Sequence, residues 1–110
     1  MVRSVAVLLL VVLTGCASVE DLRTGGTIYE GETSKPVAEY GPCVSERWSK
    51  FSAGWTNYYP VPKGIEIVYA PMFVDLLLRA VEQDGVTRIH IGSRAGWRAT
   101  DFVQAAKDCA

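Results

Sequence analysis

Pro71-Met72-Phe73-Val74-Asp75-Leu76-Leu77-Leu78-Arg79-Ala80-Val81-Glu82-Gln83-Asp84-Gly85, with Val86-Thr87-Arg88-Ile89-His90-Ile91 behind it, decides the fold. Two readings are open. As a helix, Phe73, Leu76, Leu77, Ala80 and Val81 share one face and Gly85 can cap the C-terminus. As a strand, Val74, Leu76, Leu78 and Ala80 alternate with Asp75, Leu77 and Arg79. Asp84-Gly85 then supplies a hairpin turn into Val86–Ile91, which alternates cleanly. On periodicity alone the helix fits slightly better.

Upstream, Ile65-Glu66-Ile67-Val68-Tyr69 alternates and is β-branched, so it reads as a strand. Asn57-Tyr58-Tyr59-Pro60-Val61-Pro62-Lys63-Gly64 reads as a loop on its Pro and Gly content. Val44, Trp48, Phe51 and Trp55 recur at helical spacing, which predicts a helix starting at Pro42 or Cys43 and ending near Gly54. Downstream, Ser93-Arg94-Ala95-Gly96 is a turn, and Thr100 or Asp101 can cap a last helix. Phe102, Val103, Ala106 and Cys109 fall on the inner face of that helix.

The N-terminus carries a different signal. Arg3 is followed by nine apolar residues, Val5 to Leu13, too short a run for a membrane span, which needs about 20. It fits the apolar region of a secretory signal. Leu13-Thr14-Gly15-Cys16 closes it and resembles the lipobox of bacterial lipoproteins. The resemblance implies removal of residues 1–15, acylation of Cys16 and anchoring by more than one acyl chain, which holds a protein on a bilayer stably. Ala17, where an Asp would imply inner-membrane retention, points to the outer membrane with the domain facing the periplasm; the inner membrane and the cell-surface face are the alternatives.

Processing would leave 95 of the 110 residues, one small domain with little core to spare. Residues 16–36 are polar and turn-rich and read as a flexible tether, and residues 37–110 as the domain. With Cys16 acylated, Cys43 and Cys109 remain as an even pair in an oxidising compartment, which predicts a disulfide.

Beyond the lipobox, several features are similar to a loose group of small proteobacterial lipoproteins. They are Ser34-Lys35-Pro36-Val37, a helix with Cys43 and Trp48, and a terminal Phe102-Val103-Gln104-Ala105-Ala106-Lys107-Asp108-Cys109 helix. In that group the middle reads as a β-meander between two helices. The resemblance implies a hairpin over residues 73–92. The expected fold is therefore α+β, a small antiparallel sheet flanked by two helices clasped by a disulfide. The alternative is β-α-β-α with residues 71–83 helical. No activity comes with the resemblance.

Chemistry is sparse. His90 is the sole histidine, on an alternating strand where a structural role is the rule. No GxSxG elbow, phosphate loop or metal spacing occurs, so no cofactor, no metal and no catalytic residue is expected. Glu66, Asp75 and Glu82 are acidic but belong to exposed faces in the plain reading. A net charge of −1 with scattered Lys and Arg speaks against nucleic acid as a partner. Among the aromatics, Trp48 and Phe51 are expected in the core, while Trp55, Tyr58 and Tyr59 suit an exposed binding surface. The expected function is a non-enzymatic envelope lipoprotein that binds another envelope protein. The alternative is a binding module that takes a cell-wall or small polar ligand on its aromatic loop.

Overall fold

The computed structural model describes residues 19–24, 26–52, 54–94 and 98–110. The order is α1 (Val19–Thr24), β1 (Thr27–Thr33), α2 (Val37–Ser52), β2 (Thr56–Val61), β3 (Gly64–Tyr69), β4 (Leu76–Gln83), β5 (Val86–Ser93) and α3 (Thr100–Cys109). The fold is α+β. Its five strands form one antiparallel sheet in the order β1-β5-β4-β3-β2.

The ambiguous stretch is a hairpin. Residues 76–83 are a strand, so the helical alternative for 71–83 and the β-α-β-α order fall. Asp84 and Gly85 both take positive φ, at 53° and 83°, the geometry of a two-residue turn matched to strand twist. The helical appearance has a physical cause. Leu76, Leu77 and Leu78 are all fully buried, because both faces of this part of the sheet are covered. A strand buried on both sides loses its polar alternation.

One face carries Ile65, Ile67, Leu76, Leu78, Ala80, Ile89 and Ile91 and packs under α2 and α3. Tyr40 Oη donates to Ala106 O at 2.9 Å, and Trp48 Nε1 donates to Phe102 O at 3.0 Å, tying the two helices across the core. Cys43 and Cys109 are joined, with Cα atoms 5.9 Å apart. On the opposite face Leu22 of α1 covers Val68 and Leu77, with Ala70 and Val74 beside it.

Four further expectations are corrected. Residues 19–24 and 27–33 are not a tether, since α1 packs on the sheet and β1 pairs with β5 along its length. The end of the expected tether is bonded as well. Lys35 Nζ donates to Cys109 O at 2.9 Å, and Thr87 Oγ1 donates to Lys35 O at 2.8 Å. Local composition missed this because the partners lie more than fifty residues away in the chain.

Helix α2 begins at Val37, ahead of Pro42. Val37, Tyr40, Val44 and Trp48 form its buried stripe. Pro42 is exposed, so the hydrogen bond it forfeits falls on the watered side of the helix. Residues 57–61 form β2 rather than a loop, because pairing with β3 outweighs the Pro content. Finally, Ala99, in the left-handed region at φ 45°, occupies the N-cap of α3 in place of Thr100 or Asp101.

Candidate functional site

Strand β2 lies at one end of the strand order and, among the described residues, has β3 alone as its neighbour in the sheet. Along it the three aromatics expected to form a surface are open: Trp55 is 53% exposed, Tyr58 41% and Tyr59 50%. They do not form one platform. Tyr58 lies opposite Ile67, and Tyr59 lies opposite Glu66. Ile67 belongs to the helix-covered face and Glu66 to the other, so the two rings leave the strand on opposite sides. A glycine positions one of them. A Cβ on Gly41 of α2 would lie 2.8 Å from Tyr58 Oη and 3.2 Å from Ile65 Cγ1. The helix therefore offers Tyr58 a seat that only glycine leaves open.

The backbone of β2 has a defined direction. Ala70 N–H donates to Trp55 O at 3.1 Å, which turns the main chain of Trp55 towards β3. Alternation then turns Asn57, Tyr59 and Val61 the same way, and Thr56, Tyr58 and Pro60 outward. Pro60 sits where an edge strand tolerates proline, because the position has no inward N–H to supply. Thr56 and Tyr58 direct both backbone groups, and Pro60 its carbonyl, away from the sheet.

Among the described residues, the face opposite α2 and α3 is covered by α1 at one end only. Beyond α1 a register row crosses the sheet through Glu30, His90, Arg79, Glu66 and Tyr59. Glu66 is 3% exposed. Arg23 grips it in a two-pronged pair, Nε to Oε2 at 2.8 Å and Nη2 to Oε1 at 2.9 Å, and Arg79 Nη1 adds a bond at 3.2 Å. Burial pushes the Glu66 carboxyl up, but the hydrogen bonds and charges of Arg23 and then Arg79 outweigh it and hold the group below its ordinary value. Glu30, Glu32, Arg79, Arg88 and His90 line a concavity beside this row. His90 Nε2 is 2.9 Å from Thr27 Oγ1, and its Nδ1 is buried with no hydrogen-bond partner among the described residues.

Other candidates are dispersed. Trp48 is fully buried, whereas Phe51, expected in the core, is 50% exposed and meets Phe102 edge-on at 5.5 Å. Glu66, Asp75 and Glu82 do not converge: Glu66 is held by arginines, Asp75 precedes β4, and Glu82 Oε1 accepts from Val37 N–H at 3.4 Å. No group of three or more His, Cys, Asp or Glu that could hold a metal lies among the described residues. Cys16, residues 1–15 and Trp97 lie outside the described residues. The sequence reading missed the role of Gly41 and the Arg23–Glu66–Arg79 cluster. Nothing local marks either, since each depends on elements brought together by folding.

No family model, curated protein or solved structure matches this chain.

Proposed function

We propose that this chain is a non-enzymatic lipoprotein of the bacterial envelope, anchored through Cys16, whose β2 edge takes up an extended segment of a partner protein. The outer membrane, with the domain in the periplasm, is the location that Ala17 favours. The observation that carries the partner reading is the β2 edge itself. It combines outward backbone groups at Thr56 and Tyr58 with half-exposed aromatics at Trp55, Tyr58 and Tyr59. An added strand gains affinity from main-chain hydrogen bonds and specificity from alternate side chains. Here Tyr58 and Tyr59 would grip an incoming strand from its two faces.

A second reading rests on the concavity lined by Glu30, Glu32, Arg79, Arg88 and His90. A small polar or cell-wall ligand would meet charges of both signs there.

The test is photo-crosslinking in the native host, with a benzophenone side chain at position 55 of the lipidated protein. The expected product is one discrete protein adduct. It should fall at least tenfold with Tyr58→Ala plus Tyr59→Ala, and also with Tyr58→Pro, which removes an outward N–H while sparing the β3 ladder. An adduct indifferent to both changes refutes strand addition. Glycan fragments recovered in place of protein favour the concavity.

A further inference from the structure

Among the described residues, the six large hydrophobic side chains left open are not evenly spread. Met72 is 87% exposed and Phe73 63%, the two highest values among them. Both lie in the turn between β3 and β4. Val86–Ser93 ends at the same edge of the sheet, because Ser93 is opposite Leu76 and Arg94 N–H donates to Asp75 O at 2.9 Å. The Arg94 guanidinium lies over the Phe73 ring, 4.9 Å from its centre. Trp55 stands at this end too, through its bond from Ala70. A charged group thus covers one side of an apolar tip that has no other partner among the described residues.

The chain before α1 brings a second observation to the same place. Ala70 and Val74, the residues on either side of Pro71-Met72-Phe73, pack against the cluster that Leu22 forms with Val68 and Leu77. Val19, where α1 begins, is three residues before Leu22, about 4.5 Å along a helix. Cys16 is three residues further back, and three extended residues span at most about 10 Å. The Cys16 backbone is therefore within roughly 15 Å of Leu22, whatever path those residues take. No long linker separates the acylation site from the sheet.

We infer that the Met72-Phe73 turn is a second membrane contact, resting in the interface of the phospholipid bilayer that holds the lipid anchor. This rests on the proposed acylation of Cys16. With the acyl chains in the bilayer, so short a lead confines the neighbouring end of the sheet to the membrane surface. Met72 and Phe73 gain by leaving water for the acyl boundary, and Arg94 stays at the level of the lipid phosphates. The Asp84-Gly85 turn is at the far end of β4, eight residues or about 25 Å away, and points from the membrane. The domain would thus stand with its strands along the surface normal, presenting the β2 edge sideways to partners.

The experiment uses the full-length protein, purified with its lipid and reconstituted in phosphatidylethanolamine–phosphatidylglycerol vesicles. A benzophenone side chain replaces Phe73 in one preparation and Asp84 in another, and lipid adducts are counted by mass spectrometry after illumination. The same spectra report whether Cys16 is acylated. The expected result is acylated Cys16 with at least tenfold more lipid adduct from position 73 than from position 84. Acylated Cys16 with equal yields, or none at 73, overturns the second contact and leaves the anchor standing. An unmodified Cys16 overturns the anchor and this contact with it.

Discussion

Reducing the Cys43–Cys109 bond should cost this domain a large part of its stability without dismantling its structure. The bond joins residues 66 apart, so the closed loop runs from the second turn of α2 to the end of α3 and takes in four of the five strands. In the chain-entropy account a loop of that length restrains the unfolded chain by about 4 kcal/mol at 25 °C. A small domain has about 5–15 kcal/mol in total. The folded state keeps its other ties between the two helices. The Tyr40–Ala106 and Trp48–Phe102 hydrogen bonds and the edge-on contact of Trp48 with Phe102 do not involve sulfur. Reduced protein should therefore keep the circular dichroism of the oxidised form at 25 °C. Its urea midpoint, followed by fluorescence of the buried Trp48, should fall by roughly 2–4 M for an m of about 1–2 kcal/mol/M. The melting temperature should drop by roughly 15–30 °C. A midpoint shift worth less than about 1 kcal/mol, with m unchanged, would refute the view that this crosslink acts mainly on the unfolded chain.

Other outcomes can be checked more simply. Glu66 has a lowered pKa in the folded state, so its ionised form stabilises fully above the unfolded value of about 4.3, and that contribution is lost as pH falls through the lower folded value. Glu66→Gln should accordingly flatten the loss of stability between neutral and acid pH seen by urea unfolding; an unchanged acid slope would contradict the arginine grip. A Cβ at position 64 would collide with the Ala80 carbonyl oxygen and approach Val81 Cα at 2.9 Å, both backbone atoms that cannot swing aside. Gly64→Ala should then destabilise by about 2–3 kcal/mol in thermal or urea melts, the scale of overpacking, and a neutral result would show that β3 and β4 can spread. Cys16→Ser should move the protein from the membrane to the soluble fraction; full retention after a salt wash would defeat the anchor.

What the chain declares locally is the part held by local rules. The spacing of Val44 and Trp48, and of Phe102, Ala106 and Cys109, marks two helical faces, and all five residues are buried where they meet. Cys43 and Cys109 pair as cysteine counting expects. Ile65–Tyr69 and Val86–Ile91 alternate and are strands. The tertiary structure alone decided the rest, each time because a distant element changed what a residue faces. Leu76-Leu77-Leu78 reads as a helix until Leu22 of α1 supplies cover for Leu77 on the second face. Thr27–Thr33 has too few apolar residues to order itself, and becomes a strand because β5 offers its edge. Trp55, Tyr58 and Tyr59 look like a loop cluster, but pairing with β3 sends Tyr58 and Tyr59 to opposite faces. Gly41 carries no local signal at all, and matters because Tyr58 lies across it. Helical spacing and residue type are properties of neighbours in the chain, whereas strand pairing and burial on a second face are set by residues dozens of positions away.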